Sequence, residues 1–141
     1  MLRIPISALS RQKNAQLALS ATTPPMYIII EKYSYDKDLK THTYDIEIGT
    51  QDQHDVIIRK IKTRYSVLRK LHQSLKSSFR DTPIQPKFPP QKYIFNNNPE
   101  FIKERASDLQ KYLAQLTKIP GVTHNSNFVS LFHMSDDSLS D

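Results

Sequence analysis

The chain has 141 residues, 38% hydrophobic and 24% charged, the make-up of one globular domain with a packed core. It has no cysteine, which excludes disulfides and thiolate metal sites and fits a reducing, cytosolic setting. Of the net charge of +6, eight basic residues lie between Asp55 and Asp81 with no acid among them, so the remainder carries −2 and a polyanionic partner is implied, nucleic acid or an anionic membrane surface.

Residues 1–25 hold Arg3, Arg11 and Lys13, several Ser and Ala, no acid, and a closing Pro24-Pro25. They read as a flexible basic leader, with a transit peptide or a surface-lying amphipathic helix as rivals. The β-branched and aromatic run from Met26 to Ser34 predicts a strand, and Asp36 to Thr41 a polar turn. Met26 to Ile30 is also the longest apolar run, far short of the roughly 20 residues that span a bilayer. Thr43 to Gly49 alternates, with Tyr44, Ile46 and Ile48 on one face and Asp45 and Glu47 on the other, so the two strands form a hairpin. Val56 to Tyr65 predicts a third strand, in which Arg59 and Lys60 interrupt the alternation and suggest a bulge.

From Ser66, placed to cap a helix, the period becomes helical: Val67, Leu68, Leu71, Leu75 and Phe79 recur at spacings of three and four. Pro83, Pro86, Pro89 and Pro90 then make an extended crossover between Asp81 and Asn97, whose P-x-x-P pairs are read as stiffness before they are read as a peptide ligand. Asn98-Pro99-Glu100 is a helix start, and Ile102, Leu109, Leu113 and Leu116 form the stripe of a helix that ends before Pro120-Gly121. A last helix spans about Ser126 to Met134, and the acidic, serine-rich residues 135–141 read as a tail or linker. The fold class expected is α+β, a three-stranded antiparallel meander followed by a helical subdomain with a proline-rich crossover.

Two glycines, Gly49 and Gly121, are too few for a glycine-rich phosphate cradle. His42, His54, His72, His124 and His133 show no metal-ligand spacing, and no nucleophile, base and orienter stand together. The reading is therefore a binding module and not an enzyme, with no metal and no cofactor. Two arginines stand out. Arg105 lies about 60° from Ile102 on a helical wheel, inside the apolar stripe, where a guanidinium either snorkels or lines a polar pocket at the margin of the core. Arg64, where the third strand hands over to a helix, offers a planar fork for a phosphate, and Tyr65 beside it a flat aromatic face.

Arg64-Tyr65-Ser66 followed by Val67-Leu68 and Leu71-His72 resembles the signature of the PX (phox-homology) family, the phosphoinositide-binding modules of sorting-nexin type. Phe88-Pro89-Pro90, Asn98 to Glu100, Phe101 to Arg105 and Leu109 to Leu113 resemble the family's proline loop and following helix, so the likeness covers roughly residues 26 to 134. The resemblance implies that Arg64 binds the 3-phosphate of phosphatidylinositol 3-phosphate, that Tyr65 stacks on the inositol ring and that Arg105 binds ring hydroxyls. Where the family has a lysine for the 1-phosphate this chain has Gln91, with Lys92 one place later, and Tyr93, Ile94 and Phe95 correspond to the membrane-insertion loop. The implied setting is cytoplasmic and peripheral, on endosomal or vacuolar membranes, with trafficking proteins as further partners and no nucleic acid. The rivals are a scaffold that binds protein without lipid, and a basic nucleic-acid binder using Arg59 to Arg80 with Tyr65 and Phe79 as stacking platforms.

Overall fold

The computed structural model describes residues 2–90 and 98–132. Four antiparallel strands, β1 (Leu2–Pro5), β2 (Met26–Asp36), β3 (Thr41–Asp52) and β4 (Asp55–Arg64), form one sheet in the order β1-β4-β3-β2. Among the described residues four α-helices accompany it: α1 (Arg11–Leu19), α2 (Tyr65–Phe79), α3 (Pro99–Leu116) and α4 (Ser126–Phe132). The architecture is α+β, as expected, and β2, β3 and β4 are the expected meander.

Tyr44, Ile46 and Ile48 turn to one face of the sheet and pack with Leu68, Leu71 and Leu75 of α2, Leu109, Leu113 and Leu116 of α3, and Phe128 and Phe132 of α4. This is the main core, and the periodicities of two and 3.6 that predict it are the ones that build it. α3 starts as expected, with the Asn98 side chain accepting from the Glu100 N–H at 2.8 Å and Pro99 at the first helical position.

The expected flexible leader is instead part of the fold. β1 pairs antiparallel with β4, Leu2 opposite Ile58 and Pro5 opposite Asp55, and α1 covers the face of the sheet away from the main core. There Leu17 joins Tyr27, Ile29, Val56 and Ile58 in a second buried cluster flanked by Ile4, Ile6 and Leu9. Burying both faces of β2 removes more apolar area from water than a one-sided sheet, which offsets the entropy of ordering the N-terminal residues.

Polar contacts seat the same segment. Glu47, only 3% exposed, accepts from the Tyr27 hydroxyl at 2.5 Å and pairs with Lys13 Nζ at 2.8 Å. The Gln16 side chain accepts from the Ile28 N–H at 2.9 Å and donates to the Ile28 carbonyl at 3.2 Å. From the other side of the strand, Gln110 of α3 accepts from the Ile30 N–H at 2.6 Å and donates to that same carbonyl at 2.9 Å. Two glutamines thus close the outer edge of the first half of β2.

The bulge lies elsewhere than expected. β3 and β4 stay in continuous register from Thr43 opposite Arg64 to Asp52 opposite Asp55, and the shift falls in β2 between Ile30 and Lys32. Arg59 and Lys60 fit the ladder without it because both faces of β4 have partners: Lys60 Nζ lies 3.3 Å from Glu31 and 3.9 Å from Glu47.

Candidate functional site

The site forms where β4 becomes α2. Arg64, the last residue of β4, is exposed and extended (φ −133°, ψ 167°) and occupies the N-cap position of α2, where among the described residues no side chain caps the terminus. The helix begins at Tyr65, so Ser66, expected as the cap, lies inside it. The first turn of α2 carries no acid. Its free N–H groups and the helix dipole therefore favour an anion beside Arg64.

Arg105 projects from the second turn of α3 toward the same corner. Its guanidinium carbon lies 3.6 Å from the centroid of the Tyr65 ring, a cation–π contact, and its buried Nε has no hydrogen-bond partner among the described residues. A buried guanidinium N–H left unpaired is costly, and an arriving acceptor removes that cost.

Tyr65 is not the free aromatic face the sequence suggests. The residue is 7% exposed, Arg105 covers one face of its ring, Phe88 lies 5.1 Å away, and its hydroxyl donates to the Pro89 carbonyl at 2.6 Å. Packing has turned it into a platform: it carries Arg105 and pins the proline crossover. The crossover is held further by His72, stacked on Phe88 with 10° between the rings, and by Tyr112, edge-on to Phe88 at 5.0 Å and hydrogen-bonded to His72 Nδ1 at 3.0 Å. Burial, and to a lesser degree Lys76, lower the His72 pKa from its ordinary value and so disfavour the charged ring. Phe88 to Pro90 are thereby fixed next to the arginines, and Gln91, Lys92, Tyr93, Ile94 and Phe95 follow outside the described residues.

His42 of β3 has no assigned role in the sequence reading. It shares a face with Tyr44 and Ile46, its neighbour Thr43 pairs with Arg64, and its ring lies edge-on to Tyr35 at 5.2 Å. Burial, and after it the positive field of Arg105, lower its pKa from the ordinary value. The alternation of β3 was the available signal, since His42 extends the stripe of Tyr44, Ile46 and Ile48.

The basic block divides on folding. Lys60 and Lys62 are engaged by Glu31, Glu47 and Asp45, whereas Arg64, Arg69, Lys70, Lys76 and Arg80 are exposed along α2 and its ends. Positive charge is therefore concentrated on the helix whose N-terminus holds the site. No described helix is long and apolar enough to cross a membrane.

A family model described as the PX domain matches residues 51–135. Among solved structures, the chain is similar to the X-ray structure of a designed CISK-PX domain, with a TM-score of 0.60 and 20% sequence identity over 75% of this chain and 97% of that one. At that identity the likeness is one of fold.

Proposed function

Because this chain belongs to the PX domain family, whose members are phosphoinositide-binding modules, we propose that it recognises phosphatidylinositol 3-phosphate and thereby targets endosomal or vacuolar membranes in trafficking. The observation that carries this reading is the buried Nε of Arg105, without a hydrogen-bond partner among the described residues and laid on Tyr65 beside exposed Arg64 and the start of α2. In this reading Arg64 takes the 3-phosphate with two parallel charge-assisted hydrogen bonds, and Arg105 donates to ring hydroxyls. Tyr65 aims Arg105, departing from the stacking role that family resemblance implies. Gln91 and Lys92 flank the 1-phosphate. Tyr93, Ile94 and Phe95 enter the lipid, where headgroup binding and insertion together anchor what neither holds alone.

The test is liposome co-sedimentation with a panel of phosphoinositides, repeated with single-stranded RNA at about 0.15 M salt, where purely electrostatic binding fades. Arg64→Ala, at an exposed residue, is expected to keep the fold and to lose about 1.5 to 3 kcal/mol of headgroup affinity, a tenfold drop or more. A folded Arg64→Ala variant with undiminished affinity for 3-phosphorylated lipid would overturn the reading.

A further inference from the structure

The outer edge of β2 is guarded over only half its length. Gln16 and Gln110 close it at Ile28 and Ile30, and the bulge between Ile30 and Lys32 then resets which residues face outward. Beyond it, Lys32, Ser34 and Asp36 stand opposite Asp45, Thr43 and Thr41 of β3, and Tyr33 and Tyr35 opposite Tyr44 and His42. In an antiparallel ladder hydrogen-bonded and non-hydrogen-bonded pairs alternate. Before the bulge Ile28 and Ile30 point outward, opposite Ile48 and Ile46, so β3 turns the backbone of its even-numbered residues away from β2 here. Tyr33 and Tyr35, opposite even-numbered residues, therefore turn their N–H and C=O groups outward. Among the described residues no side chain caps them. The two residues are 39% and 52% exposed, and the arm from Glu31 to Tyr35 is exposed throughout. An uncovered edge of this kind is a template for another strand.

The sequence of that edge says which strand fits. Lys32-Tyr33-Ser34-Tyr35-Asp36 reads the same in both directions except that its charges invert, and Glu31 and Lys37 extend the pattern by one step. A segment that is symmetric in shape and antisymmetric in charge is complementary to an antiparallel copy of itself. We propose that two copies of this chain pair edge to edge along β2, with a two-fold axis at Ser34 and a continuous sheet across the junction. In that register each Tyr33 lies opposite the partner's Tyr35, which places outward-facing backbone against outward-facing backbone, as a hydrogen-bonded pair requires. Lys32 lies opposite the partner's Asp36 on each side of the axis, a favourable cross-strand pair that a shift by one residue destroys. Lys32 is 73% exposed, and its one ion pair among the described residues is a 3.5 Å contact to Asp45, which leaves it able to reach across.

So short an edge buries less than the roughly 1,000 Å² of a stable complex. The pairing is weak in solution and is best detected by trapping. The chain has no cysteine, so Ser34→Cys introduces one thiol. It lies at a non-hydrogen-bonded pair on the two-fold axis, where Cα atoms about 4.5 Å apart suit a disulfide. Under mild oxidation Ser34→Cys is expected to form covalent dimers about tenfold faster than Ser107→Cys, an exposed control on α3, because the pair holds the two thiols at high effective concentration. Adding Tyr33→Pro removes an outward N–H without touching the ladder to β3 and is expected to abolish the excess, with circular dichroism confirming the fold. If that variant misfolds, Lys32→Asp, which opposes two acids across the junction, is expected to slow trapping instead. Equal rates for the two cysteines, or undiminished trapping in a folded Tyr33→Pro or Lys32→Asp variant, overturn the proposal and leave the edge to an extended segment of another protein.

Discussion

Gly49 faces the ring of Tyr27 so closely that a Cβ there would meet the Tyr27 Cε2 at 2.1 Å. The ring cannot swing away, because it is fully buried and its hydroxyl is tied to Glu47. Gly49→Ala is therefore expected to destabilise the protein by about 1 to 3 kcal/mol through overpacking, measured by urea unfolding, and a smaller residue at Tyr27 should return part of the loss. Glu47 itself makes stability depend on pH. Burial opposes its ionisation, but the hydrogen bonds from Lys13 and Tyr27 and the charges of Lys13 and Lys60 outweigh that and hold its pKa below the ordinary 4.5. A carboxyl depressed in the folded state adds stability above its unfolded pKa and loses it as pH falls through the folded value. Stability should accordingly decline as pH drops below about 4.5, and Glu47→Gln should flatten that decline in denaturant midpoints taken from pH 6 to pH 3.

At the level of elements, α1 separates what the sequence discloses from what it withholds. The meander, α2 and α3 were legible because each repeats its apolar residues at its own period against a single core, and Asn98-Pro99 marks a start that chemistry alone dictates. α1 was not legible: Ala15, Leu17, Ala18 and Leu19 make no stripe, and Lys13, Gln16 and Leu17 act through Glu47, Ile28 and the second cluster, partners that only the folded sheet supplies. A trace was present in β2. Five apolar residues in a row, Met26 to Ile30, with no alternation, are what a strand covered on both faces requires. In the same way the arginines of the site could be read from their motif, whereas the seat of Arg105 on Tyr65 depends on how α3 packs. If α1 is structural, Leu17→Ala should cost about 2 to 3 kcal/mol by chemical denaturation, where a loosely attached leader would show no change.

For the whole molecule, α1 on one face of the sheet and the helical subdomain on the other both reach one atom, the Ile28 carbonyl, which receives Gln16 and Gln110. Two layers far apart in sequence thus share one strand edge, and Gln110 lies on the same helix as Arg105. Edge amides ordinarily exchange their hydrogens with solvent quickly, yet those of Ile28 and Ile30 are covered, the first by α1 and the second by α3. Each amide therefore acts as a clock for one layer. If the layers open only together, the two should exchange at the same slow rate, set by global unfolding. If α1 detaches first, Ile28 should exchange faster than Ile30 by a factor that measures how firmly the N-terminal layer is held, a quantity that amide exchange followed by nuclear magnetic resonance reads directly.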